Sequence, residues 1–141
     1  MNEPLKILVV DDNLDLADNL QDILEEKGYA TAVALDGNSA MDLCRQESFG
    51  LVLLDYKLPD MDGLQLQERL AELIHADYIV ITGHASIESA AKAVQREQIV
   101  GYETKPLDMA RLLAFIRQVG ERRKAEAKIT QQSLQMGLAQ E

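Results

Sequence analysis

A chain of 141 residues, 47% apolar, 27% charged and only 4% aromatic, has the size of one domain and enough aliphatic side chains for its core. Its formal net charge of −10 argues against nucleic-acid binding, which needs a basic stripe to displace counterions. The single Cys44 excludes an internal disulfide framework, and no apolar run or leader pattern points to a membrane span or signal peptide, so a soluble cytoplasmic domain is expected.

The first apolar run, residues 7–10, is continuous and rich in Val, Ile and Leu, as in a strand buried on both faces of a parallel sheet. Leu16, Leu20, Ile23 and Leu24 follow at helical spacing, with Asn13 as N-cap. Residues 30–34 form the second strand, and Ala40, Leu43 and Cys44 mark the second helix. Residues 51–54 form the third strand, and Leu66, Leu70, Leu73 and Ile74 mark the third helix. Residues 78–81 form the fourth, before a helix carrying Ile87, Ala90, Ala91 and Val94 behind Ser86 as cap. Residues 99–102 form the fifth, before a helix carrying Met109, Leu112, Leu113 and Ile116 behind Asp108. Regular strand–helix alternation predicts an α/β fold: a doubly wound, five-stranded parallel sheet with helices on both faces.

After residue 120 the composition turns to Arg, Lys, Ala and Gln and the strand signals stop. Residues 1–120 are therefore expected to be the domain, and residues 121–141 a helical extension or linker, partly disordered. Ala125 and Ile129 continue a thin apolar stripe that does not sustain three heptads, so no long coiled coil is expected.

The charge is uneven. Residues 1–62 hold four basic and fourteen acidic residues, whereas 63–120 hold six and seven, and 121–141 hold four and three. In an open parallel sheet, chemistry collects at the C-terminal ends of the strands. Asp11 and Asp12 end the first strand, Asp55 the third and Thr82 the fourth, and the fifth runs on to Lys105. Three carboxylates gathered together repel one another and call for a hard divalent cation, for which Mg²⁺ is the best fit because it completes its octahedron with water and phosphate oxygens. A lysine and a hydroxyl beside them suit a phosphoryl group. Any one of these acids alone would read as a loop former or helix cap; at successive strand ends they form a site.

Four stretches carry a resemblance to a known family: Ile7-Leu8-Val9-Val10-Asp11-Asp12-Asn13, Leu53-Leu54-Asp55-Tyr56-Lys57-Leu58-Pro59-Asp60-Met61-Asp62-Gly63, Ile81-Thr82-Gly83-His84-Ala85 and Tyr102-Glu103-Thr104-Lys105-Pro106. In this order the chain, from residue 5 to about 120, resembles the receiver domain of two-component response regulators, a flavodoxin-like (βα)5 fold. The resemblance implies that Asp55 is the phosphoacceptor, taking a phosphoryl group from a phosphohistidine on a histidine kinase or histidine phosphotransferase. Asp11, Asp12, Asp55 and the backbone carbonyl of Lys57 would hold Mg²⁺. Thr82 would donate to the phosphoryl oxygens beside Gly83, and Lys105 would pair with their charge, with Lys105–Pro106 a candidate cis peptide. Tyr102 would turn inward with Thr82, altering the surface of the fourth helix, fifth strand and fifth helix. The same resemblance implies a phosphorylation-dependent switch, not an enzyme in the ordinary sense, with an output domain beyond residue 141 or a separate effector, and allows a phosphorylation-dependent dimer.

The chain departs from the family pattern where Gln98, Ile99, Gly101 and Glu103 stand before Lys105, so the fourth helix lacks its usual glycine stop and the switch surface is altered. Lys57 and His84, two positions beyond Asp55 and Thr82, are poor water-positioning side chains, so a long-lived acyl phosphate is expected. Asp15, Asp18, Asp22, Glu25 and Glu26 form an acidic stripe on the first helix, either its solvated face or a docking face for a basic patch on the kinase. Two other function classes fit less well. A Mg²⁺-dependent phosphohydrolase with an aspartyl nucleophile would carry two acids one residue apart after the first strand. A nucleotide-binding module would carry a glycine-rich loop there, where Asp11-Asp12-Asn13-Leu14 stands instead.

Overall fold

The computed structural model describes residues 5–83 and 87–139. Ten elements alternate: β1 (Lys6–Val10), α1 (Leu14–Glu26), β2 (Ala30–Ala34), α2 (Gly37–Gln46), β3 (Leu51–Asp55), α3 (Gly63–Ala71), β4 (Asp77–Thr82), α4 (Ile87–Val94), β5 (Ile99–Thr104) and α5 (Met109–Ala139). The strands pair in parallel in the order β2-β1-β3-β4-β5. Four strands reach one or two residues beyond their apolar runs, because the backbone ladder continues through polar residues such as Asp55, Thr82 and Thr104, whatever their side chains.

Strand alternation sorts the core. Leu8, Val10, Val52, Leu54, Tyr78 and Val80 share one buried cluster with Ala40, Met41 and Cys44 of α2, Leu64, Leu66 and Leu70 of α3, and Ala93 of α4. Ile7, Val9, Leu51, Leu53, Ile79 and Ile81 point the other way, where α1 supplies Ala17, Leu20 and Leu24. This is the doubly wound sheet expected from the alternation.

The helical stripes differ in detail. Asn13 caps α1 as expected, its side chain accepting from the Leu16 N–H at 3.1 Å, but Ala17 replaces Leu16 and Ile23 as a fully buried position. α3 stops at Ala71, which leaves Leu73 exposed and Ile74 buried in the loop beyond the helix. In α4 Ala93 is buried and Ala91 exposed; the apolar positions of so short an alanine-rich segment do not fix its rotation. Ser86, expected as its cap, lies outside the described residues. α4 ends at Val94 without a glycine: Arg96 N–H donates to the Ala93 carbonyl, and Ile99 N–H to the Arg96 carbonyl. The Arg96 guanidinium meets Glu68 at 2.7 Å, the amide oxygen of buried Gln67 at 3.1 Å and the Leu64 carbonyl at 3.4 Å. A side chain reaching back to α3 therefore accompanies the stop.

α5 forms a unit of its own in the contact pattern, apart from residues 4–107. Asp108 accepts from the Arg111 N–H, and Leu112, Ile116 and Val119 are buried. The helix continues to Ala139, past residue 131 where fraying was expected, because Ala, Lys, Gln, Glu and Leu sustain a helix after the apolar stripe ends. No described helix is long and apolar enough to cross a membrane.

Candidate functional site

β1 and β3 are neighbours, with Val10 opposite Leu54, and the strand order reverses there. The residues that follow each strand therefore emerge side by side in the crevice where open α/β sheets place their sites. Asp11 and Asp12 come from β1, Asp55 from the last position of β3, and Thr82 from the last of β4. β5 delivers Lys105, whose N–H donates to the Thr82 carbonyl at 2.8 Å. The Lys105–Pro106 peptide bond is cis, as the sequence anticipated.

Ligand oxygens of Asp11, Asp12 and Asp55 all lie within 4.8 Å of one another. Asp11 and Asp55 are buried, 3% and 7% exposed, and Asp12 is exposed. The Lys105 ammonium bridges the buried pair, 2.9 Å from Asp11 Oδ2 and 3.3 Å from Asp55 Oδ2. Asp11 Oδ1 accepts from the Asn13 N–H at 2.9 Å, and Asp55 Oδ1 from the Lys57 N–H at 3.2 Å. A cleft of about 310 Å³ opens over this group, lined by Asp12, Asp55, Lys57, Leu58, Pro59, Thr82, Gly83 and Lys105.

The electrostatics follow from that geometry. Burial pushes the Asp55 carboxyl above its ordinary value and the Asp11 charge adds to this, while the Lys57 N–H and the Lys105 ammonium only partly offset them. Burial works to lower the Lys105 pKa, but the carboxylates of Asp11 and Asp55 outweigh it and hold the ammonium protonated above its ordinary value. One cation shared between two buried carboxylates leaves excess negative charge, and an all-oxygen donor set of this kind suits a hard divalent ion.

The sequence-selected residues Asp11, Asp12, Asp55, Lys57, Thr82 and Lys105 are thus brought together. Tyr102 is half-buried on β5 and packs against the core cluster, away from the lining of the cleft. A Cβ on Gly83 would stand 3.9 Å from Lys105 Cδ, an ordinary contact; His84 lies outside the described residues. The acidic stripe of α1 is exposed, with Glu25 accepting from the Thr31 hydroxyl at 3.0 Å.

Two contributors were not legible beforehand. A Cβ on Gly63 would lie 2.7 Å from the Asp55 carbonyl oxygen and 2.9 Å from Tyr56 Cα, so only glycine lets α3 start against the end of β3. Asp60, at the tip of the same loop, accepts with both carboxylate oxygens from Gly37 and Asn38 N–H groups at the start of α2, each at 2.9 Å.

Fold and acidic cleft together define an α/β module of the receiver type. The family described as the response regulator receiver domain matches residues 7–117, and the chain belongs to that family of two-component signalling modules. It is 36% identical over 109 residues to a response regulator receiver protein of Anaeromyxobacter sp. (strain Fw109-5), covering 77% of this chain and 45% of that protein. It is 33% identical over 116 residues to the transcriptional regulatory protein ZraR of Escherichia coli (strain K12), covering 82% of this chain and 26% of that one. The chain thus spans less than half the length of either relative. Among solved structures, a CheY-like receiver domain protein from Methanospirillum hungatei JF-1 aligns with a TM-score of 0.80 and 31% identity, over 88% of this chain and 99% of that one. A response regulator from Burkholderia pseudomallei, described with a phosphorylated aspartic acid, calcium ion and citrate, aligns with a TM-score of 0.74 and 33% identity, over 87% of this chain and 72% of that one.

Proposed function

We propose that this receiver accepts a phosphoryl group on Asp55 from the phosphohistidine of a histidine kinase or phosphotransferase, with Mg²⁺ bound, and changes its output surface in response. The observation that carries this reading is the placement of Asp55: a buried carboxylate at a strand end, facing a cleft, with Asp11 and Lys105 on the same oxygen cluster. The related protein described with a phosphorylated aspartic acid supports it. Asp11, Asp12, Asp55 and the Lys57 carbonyl are the groups that would hold Mg²⁺, which when bound neutralises the carboxylates and the incoming phosphoryl oxygens.

An Asp55 oxygen forms the new O–P bond while the N–P bond of the phosphohistidine breaks and its electron pair returns to the imidazole nitrogen. The Lys57 N–H at 3.2 Å orients Oδ1, and Lys105 offsets charge beside Oδ2. Phosphorylation adds roughly −1.5 to −2 charges at this point, and the Thr82 hydroxyl and the Lys105 ammonium are the cleft groups suited to receive them. Movement of Thr82 would pass to Tyr102, which its β5 partner strand carries two residues before Thr104. The outcome is a shift between two packings of the same fold. The acting domain is residues 1–120, with 121–141 as an extension, and the setting is cytoplasmic.

Acetyl phosphate with Mg²⁺ should add one phosphoryl group to the chain, measured by intact mass, and Asp55→Asn should remove it. Labelling that persists in Asp55→Asn rejects the assignment, and steady turnover of small phosphate esters points to a hydrolase instead.

A further inference from the structure

Residues 56–63 close on themselves. Leu58 N–H donates to the Met61 carbonyl at 3.2 Å, Gly63 N–H to the Tyr56 carbonyl, and Lys57 and Asp62 form a bridge. The Lys57 N–H and the close approach of Gly63 tie the two ends of this loop to Asp55. Its tip is held from outside. The first turn of α2 leaves three N–H groups without helical partners. Asp36, the N-cap, takes that of Ser39 at 2.7 Å, and Asp60, from the other loop, takes those of Gly37 and Asn38. A carboxylate gripping two N–H groups at the positive end of a helix makes charge-assisted bonds, and these hold Asp60 below its ordinary pKa. A second contact lies beside the first. A Cβ on Gly37 would fall 2.6 to 2.8 Å from Met61 Sδ, Cε and Cγ, so the Met61 thioether rests directly on the α2 terminus.

α2 is a rigid support, since Ala40, Met41 and Cys44 are buried in the core. The loop it holds carries the Lys57 N–H bonded to Asp55, the Lys57 carbonyl, and Leu58 and Pro59 in the cleft wall. We infer that Asp60 is a positioning residue: by clamping the loop to α2 it holds the Lys57 carbonyl in place for a divalent cation, so that the cation binds without first ordering the loop. The inference rests on the Mg²⁺ site proposed above, with the Lys57 carbonyl among its ligands, but not on phosphorylation of Asp55. Groups that orient a metal ligand from behind typically account for ten- to hundredfold in metal affinity.

The test is a Mg²⁺ titration of the full chain, labelled with ¹⁵N and followed at backbone amides, for wild type, Asp60→Ala and Asp60→Asn. Asp60→Ala should weaken the Mg²⁺ dissociation constant about tenfold, and Asp60→Asn, which retains one acceptor, should fall between. At saturating Mg²⁺ the rate of labelling by acetyl phosphate should return to within about twofold of wild type, because Asp60 does not touch the reacting atoms. A group that merely stabilises α2 would lower the unfolding midpoint and leave the Mg²⁺ affinity of the folded chain unchanged, and that result overturns the inference. Should Asp60→Ala fail to fold, Asp60→Asn decides on the same terms: its side-chain amide can accept from only one of the two N–H groups, and unchanged Mg²⁺ affinity overturns the inference there too. Wild type that binds Mg²⁺ but is not labelled at Asp55 would sink the proposed function and leave this inference standing on the titration.

Discussion

Asp55 is in tension with its surroundings. The folded state binds its proton more tightly than the unfolded chain does, because burial raises its pKa above 3.8 more than Lys57 and Lys105 lower it. For a raised carboxyl the associated stability is present below the unfolded pKa and lost as pH rises through the folded one. Ionised Asp55 therefore weakens the fold at pH 7. Asp55→Asn should be more stable than wild type at pH 7 without divalent cations, and the gap should narrow as the pH falls into the acid range. Urea unfolding at pH 7 and in the acid range checks this, and a gap independent of pH counts against it. Lys105 stands in the opposite position. Its ammonium lies 2.9 Å from Asp11 and 3.3 Å from Asp55, on oxygens that a cation would also use. Lys105→Ala should therefore tighten Mg²⁺ binding several-fold while slowing labelling by acetyl phosphate at least tenfold. Weaker Mg²⁺ binding in that variant, measured by calorimetry, would contradict the competition.

Elements meet through a few exact contacts, and two of these are open to mutation. Gly63 lies where α3 begins against the β3 terminus, and an added Cβ would meet backbone, which cannot swing aside as a side chain can. Gly63→Ala should cost about 2 kcal/mol or more in urea unfolding and impair labelling at Asp55, whose carbonyl it pushes. Arg96 joins the end of α4 to α3. Glu68 is 64% exposed at its side chain, so that ion pair alone contributes little, whereas Gln67 is buried and loses a partner if Arg96 is removed. Arg96→Ala should therefore destabilise by about 1 kcal/mol, and Glu68→Gln by less than about 0.5 kcal/mol. Faster amide exchange in α4 should accompany only the first. Equal effects of the two variants would mean that the exposed pair, not the buried amide, holds α4. The end of α4 is thus accompanied by a link to α3, which the pattern around Gln98 and Ile99 did not show.

For the whole molecule, the acids of residues 1–62 fall mainly into three groups: the cleft carboxylates, the exposed α1 stripe, and Asp36, Asp60 and Asp62 on N–H groups at helix starts. The proposed division at residue 120 is testable, since a chain ending there should keep Mg²⁺-dependent labelling within about twofold of the full chain, and its loss would show that α5 beyond that point is needed. By itself the sequence determined the alternation of five strands and five helices and the positions of Asp11, Asp12, Asp55, Thr82 and Lys105 at strand ends, because period and strand termini are local properties of the chain. It did not determine the rotation of α4 or the end of α3, where small or sparse apolar residues leave several faces nearly equivalent. The clamp from Asp60 to α2 was hidden for a different reason. Its partners are 23 and 22 residues away along the chain, and an aspartate in a turn looks the same whether its oxygens meet water or the N–H groups of a distant helix. Only the tertiary structure, by bringing the β3–α3 loop against the start of α2, decided that those oxygens are bonded.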